Sequence, residues 1–200
     1  MDLSVINPIL LLAALMSAAT PILLAATGEL VVERAGVLNL GVEGMMIVGA
    51  IAGFIVAVNT GSPALGFIGA AAGGAVLSLL FVFLTQVALA NQVASGLGLS
   101  ALMGQSYVGV KPPRMADLDL GPLSDIPVLG RILFSHDAMV YIGLLIVLGV
   151  WAGLKYTRAG LVLRAVGENH DAAHALGYKV KRIRMAAILF GGACAGLGGA

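Results

Sequence analysis

Charge is what this sequence has least of. Only 10% of its 200 residues are Asp, Glu, Lys or Arg, against about 25% in an ordinary soluble domain. So few polar groups cannot cover the surface of a water-soluble fold of this length. Cysteine occurs once, as Cys194. An internal disulfide is therefore excluded, and the apolar neighbours of Cys194 mark it as a buried small residue. The opening MDLSVINP has no Lys or Arg and carries Asp2. A cleaved signal peptide needs a basic start and a shorter apolar core, so the first apolar segment is expected to be a retained span. A net charge of +1 says nothing about nucleic acid, and no nucleic-acid partner is expected.

What is present is apolar and small. The chain is 60% hydrophobic with a mean hydropathy of +1.03, the composition of an integral membrane protein. Glycine accounts for 28 residues. In water an interior helical glycine costs about 1 kcal/mol relative to alanine. In membranes small residues let helix backbones approach closely. The expected class is all-α, a polytopic transmembrane helical bundle. A β-barrel is disfavoured, because the apolar runs are continuous rather than alternating.

Six apolar segments can be drawn. The first runs from about Pro8 to Thr27. The second ends near Val58 and has an uncertain start. The third runs from Ala64 to about Leu89, the fourth from about Val93 to Val110, and the fifth from Ala138 to Lys155. The sixth begins near Met185 and is still apolar at Ala200. A span takes about 20 residues, so the sixth is short and the sequence is expected to be incomplete at its C-terminus.

Charge sets the expected orientation. Between Lys155 and Arg184 lie seven of the eleven basic residues, opposed only by Glu168 and Asp171. By the positive-inside rule this loop is cytoplasmic. The segment from Lys111 to Asp137 has three basic and four acidic residues and holds Pro113, Pro122 and Pro127; it belongs outside. Counting back puts Ala90-Asn91-Gln92 and Gly28 to Arg34 inside, and the N-terminus outside. Small residues also recur four apart. Gly66, Ala70 and Gly74 form one stripe, and Gly192 and Gly196, with Ala195 and Gly199 alongside, form another. Each reads as a helix-packing face.

Polar residues at membrane depth are the candidates for function. Met45 to Val58 supplies fourteen apolar residues, about 21 Å of helix against a hydrocarbon core of about 30 Å. The span is short unless it borrows Gly36 to Gly44. Borrowing them carries Asn39 and Glu43 to the inner edge of the membrane, among Gly36, Gly41 and Gly44. Glycine-interrupted segments beside polar residues are the sequence form of broken helices. Glu43 and Asn39 either face a cargo or sit at the interface. Glu29, Glu33 and Arg34 read as a cytosolic turn, with Arg34 an available partner for Glu43 or Glu29. A second interruption, from Thr85 to Ser106, contains Asn91 and Gln92 at a turn. Its amides and hydroxyls suit a neutral, hydrogen-bonding cargo, or serve as glue between helices.

The most organised polar segment is GLVLRAVGENHDAAHALGYKVKRIR. Glu168 to Leu176 reads as a short helix. Asn169 can cap its start, Asp171 suits the positive end of its dipole, and Gly177 fits the position after its end. A free-standing helix of two turns is not stable in water, so this one must dock on something. His170 and His174 are four apart, but no third metal ligand accompanies them.

Three motifs together carry a resemblance. ERAGVLNLGVEGMM, then LANQVASGLGLSAL, then LRAVGENHDAAHALGYKVKRIR with its Gly/Ala-rich span, resemble the permease subunits of bacterial ABC importers. The branch is that of the nucleoside and simple-sugar permeases, related to those for ribose and branched-chain amino acids. The resemblance runs through essentially the whole chain. It implies a type II importer fold, with residues 1–200 a single permease domain and residues 157–183 a cytoplasmic loop. It implies a second permease subunit, cytosolic ABC ATPase subunits, and an external binding protein or lipoprotein that delivers cargo. The short loop helix becomes the coupling helix that inserts into the ATPase, a role falling to Gly167, Glu168, Asn169, Ala172, Ala173, Leu176 and Gly177. ATP is bound by the partner, so no cofactor is expected on this chain; it has no GxxxxGK[ST] phosphate loop and is not itself an enzyme. The substrate pathway is expected to use Asn39, Glu43, Asn91 and Gln92. The setting is the bacterial cytoplasmic membrane. An ATP-independent transporter or channel, an intramembrane enzyme and a purely structural protein are the rival readings.

Overall fold

The computed structural model describes residues 8–92, 94–95 and 136–200. Their main elements are α1 (Pro8–Arg34), α2 (Val42–Thr60), α3 (Pro63–Val82), α4 (Ala138–Tyr156), α5 (Arg158–Glu168), α6 (His170–Ala175) and α7 (Val180–Gly199). A single π turn, Phe83–Val87, continues α3. No strand occurs among the described residues. The chain is an all-α, multi-pass membrane protein, and α1, α2, α4 and α3 with its π turn are long and apolar enough to cross a bilayer. Most of the fourth apolar segment, and most of the loop expected to lie outside, fall beyond the described residues.

Local chemistry sets the helix ends. α3 opens on Pro63, where a missing N–H costs nothing. α2 closes at Gly61, whose φ of +66° lets its N–H reach the Ala57 carbonyl at 2.8 Å. Asp137 caps α4 by accepting from Val140 N at 3.2 Å, and Thr157 caps α5 by accepting from Gly160 N at 3.1 Å.

Three boundaries differ from expectation. α1 does not stop near Thr27. It continues through Glu29 to Arg34 and breaks only at Ala35-Gly36, where Gly36 has φ +77°. The residues read as a cytosolic turn are thus its last two turns. Nothing between Thr27 and Arg34 disfavours a helix except Gly28, and Gly28 is packed on α7: a Cβ there would lie 2.7 Å from Cys194 Cβ. α7 starts at Val180 rather than Met185, because Lys181, Arg182 and Arg184 are good helix formers. Glu168 ends α5 instead of opening the next helix.

α7 is the centre of the bundle, packed against α1, α2 and α3. The contact is made by small residues. A Cβ on Gly74 would collide with the Gly192 carbonyl, one on Gly196 with the Ala70 carbonyl, and one on Gly49 with Gly196. The two stripes seen in sequence face each other across this seam. Large side chains point the other way: Ile22, Ile68, Val76 and Leu145 are each 65% exposed or more, the surface that lipid covers. Cys194 is buried at the α1–α7 contact. The hydroxyls of Thr20, Thr27, Ser78 and Thr85 bond carbonyls of their own helices, so these residues do not bridge helices.

Candidate functional site

The polar residues gather at one end of the bundle. α1 and α2 are joined by residues 35–41, a non-helical segment too buried for an open loop. Ala35, Val37, Asn39 and Gly41 are buried, while Leu38 and Leu40 are exposed. The buried backbone of such a break needs partners, and side chains from three other places supply them.

Glu29, in α1, supplies two. Its Oε1 accepts from Asn39 N at 3.2 Å, and its Oε2 accepts from Asn39 Nδ2 at 3.3 Å. Asn39 in turn accepts from Gly41 N through Oδ1 at 3.0 Å, a local turn of the kind Asn favours. Its Nδ2 also lies 3.6 Å from Met45 Sδ. Gln92, after α3, accepts from Leu38 N at 2.8 Å. Arg184, in α7, donates from Nε to the Ala35 carbonyl at 3.1 Å.

The hairpin of α5 and α6 meets this break directly. A Cβ on Gly36 would lie 3.0 Å from Gly167 Cα and 3.2 Å from Arg184 Nη2. A Cβ on Gly167 would collide with the Arg34 carbonyl. Beside this contact is a cavity of about 480 Å³ lined by Glu33, Arg34, Leu161, Arg164, Ala165, Gly167 and Glu168.

The hairpin itself is small and mostly exposed. Val166, Ala173 and Val180 form its core. Asn169 caps α6 by accepting from Ala172 N at 2.9 Å. Gly177 follows α6 with φ +86°, and its N–H bonds the His174 carbonyl at 2.9 Å. Of the seven coupling candidates, Ala173 is buried and Gly167 half-buried; Glu168, Asn169, Ala172, Leu176 and Gly177 are exposed. Leu176 is 78% exposed, an apolar side chain at the tip of a polar hairpin.

The four pathway candidates divide. Asn39 is 2% exposed with its amide fully engaged. Gln92 is half-buried and touches the same break. Asn91 is exposed, and its Oδ1 accepts from Ala94 N at 3.2 Å. Glu43 lies exposed in the first turn of α2, where the helix dipole favours a carboxylate. The structure brings Asn39 and Gln92 onto one segment. Sequence reasoning missed Glu29 and Arg184 as members of this site. Ten residues separate Glu29 from Asn39, a spacing that signals nothing unless α1 is known to run past Thr27.

Residues 11–200 match the family model of the branched-chain amino acid transport system permease component. The chain belongs to this permease family. It is 41% identical, over 95% of its length, to a putative glucose ABC transporter permease protein of Haloferax volcanii, of which it covers 61%. It is 33% identical over its full length to a guanosine ABC transporter permease protein of Bacillus subtilis, covering 68% of it. A nucleoside ABC transporter permease protein of Lactococcus lactis is 30% identical over 99% of the chain, with 68% of that relative covered. The chain thus spans about three fifths to two thirds of these relatives. No solved structure matches it.

Proposed function

We propose that this permease is the membrane-spanning subunit of an ATP-driven importer, working by alternating access beside a second permease subunit. The observation that carries the reading is the hairpin α5–α6. It is short, exposed and tipped by Leu176. It cannot be stable alone, and it rests at Gly167 on the break between two spans. A cytosolic ATPase that grips Glu168 to Gly177 would push on that break. An external binding protein or lipoprotein would deliver the cargo. The membrane is the cytoplasmic one, with the start of α1 outside and the basic hairpin inside, as the positive-inside rule requires.

The cargo class is a neutral, hydroxyl-rich solute, a nucleoside or a simple sugar. The named relatives divide between these two, and the carboxamides Asn39, Asn91 and Gln92 stand among the polar groups at the foot of the bundle. Asn39 serves through the shape of the break, and Glu43, Asn91 and Gln92 lie along the path of the solute. Replacing Glu43 or Gln92 with Leu in the whole transporter is expected to lower uptake of labelled guanosine or glucose at normal expression. Unchanged uptake of both would remove that residue from the path.

The experiment that tests the reading as a whole is co-purification. An ATPase subunit is expected to come down with the intact permease and to be lost on Glu168→Ala or Gly177→Val. Uptake that continues after deletion of α6 would favour an ATP-independent carrier instead.

A further inference from the structure

We infer that residues 35–41 are the joint through which the hairpin moves α2, and that Glu29 is the positioning residue of that joint. The inference rests on the ATP-driven reading above and goes one step inside it. Four separate parts of the chain converge on these seven residues. Gly167, at the end of α5, abuts Arg34 and Gly36. Arg184, in α7, holds the Ala35 carbonyl. Gln92 holds Leu38 N. Glu29, in α1, holds Asn39 by backbone and side chain together.

The contacts differ in kind, and that difference assigns the roles. Gly167 meets the joint by bare backbone, with no room for a Cβ. Such a contact transmits a push without slack, because packed backbones cannot give way. Glu29 meets it through two hydrogen bonds that fix the orientation of Asn39 against α1. Asn39 closes its turn onto Gly41, and the Met45 N–H bonds the Gly41 carbonyl at 3.0 Å at the first turn of α2. A displacement of Gly167 therefore reaches α2 as a rotation about Asn39 only while Glu29 holds that residue. Without Glu29 the segment would yield locally and α2 would stay where it is.

The test uses the whole transporter with its ATPase and binding protein in vesicles. The variants are Glu29→Gln, which keeps the shape and one acceptor, and Arg184→Gln, which cuts a different strut of the same joint. The readout is cargo imported per ATP hydrolysed, which a loss of folded protein does not change. Both variants are expected to keep the ATPase bound and hydrolysing, while import per ATP falls about tenfold, within the range of coupling between sites. Glu29→Asp, with its shorter reach, is expected to fall between Glu29→Gln and the parent. Import and hydrolysis that fall together in constant ratio, or that both stay at the parent level, would overturn the inference. Failure of the parent to bind any ATPase would instead sink the reading beneath it. If Glu29→Gln accumulates poorly, Arg184→Gln read per assembled complex decides the matter.

Discussion

Two contact regions of this protein are built from opposite materials. The seam of α2, α3 and α7 is backbone against backbone, with Gly49, Gly74, Gly192 and Gly196 in the middle. The break at residues 35–41 is held by side chains: a carboxylate, two carboxamides and a guanidinium. Between lipid-covered helices there is no gain from hiding apolar surface, since lipid is as apolar as leucine. Close approach and dispersion must do the holding, and only small residues allow it. Where the helix breaks, the free backbone groups must be satisfied instead, and only long polar side chains can reach them. Small residues mark where this bundle is rigid, and stranded polar ones mark where it bends.

The comparison can be broken at its rigid side first. Gly74→Leu would drive a side chain into the Gly192 carbonyl. It is expected to destabilise the bundle by about 3 kcal/mol or more, the upper range for overpacking. Thermal denaturation in detergent measures this, and an unchanged midpoint would show that the seam has slack. Next comes the polar side. Asn39→Ala removes the partners of Glu29 Oε2 and of Gly41 N, while the backbone bond to Glu29 Oε1 remains. The expected cost is about 1–3 kcal/mol, with faster amide exchange at residues 38–41 than in α3. Equal exchange in the two places would erase the distinction between bend and seam.

Smaller effects sharpen it at the hairpin. Gly177→Ala meets no neighbour, so only the left-handed backbone resists it; the expected loss is about 1–2 kcal/mol, seen as quicker proteolysis after α6. Asn169→Ala removes the cap on Ala172 N and is expected to cost about 1 kcal/mol by the same assay. The control is Gly149→Ala on the exposed face of α4, which touches nothing. A gain of up to about 1 kcal/mol follows from helix propensity alone; a loss would mean that α4 is covered by something other than lipid.

Much of this was legible beforehand, and the rest failed for physical reasons. The third and fifth apolar segments matched their helices to within two residues, because Pro63 and Asp137 start them and lipid demands unbroken runs. The two small-residue stripes were visible because a four-residue repeat is a local pattern. Gly177 and Asn169 were visible because caps and left-handed turns are local chemistry. Glu29 is not legible in sequence because charge reads as a sign of a helix end, whereas a carboxylate with a buried amide beside it can lie inside the helix. In sequence Arg184 reads only as a charge that orients the chain. Its bond to Ala35 spans 149 positions, and no spacing rule reaches that far. The π turn after α3, which precedes Gln92, had no local signal at all.

Cys194 has a practical consequence. It is the only thiol in these 200 residues, and it sits 2% exposed where α1 meets α7. In labelling terms the chain carries a silent reporter with no engineering required. A water-soluble maleimide is expected to reach it only if the two helices part, and its rate of modification during turnover tests whether they do.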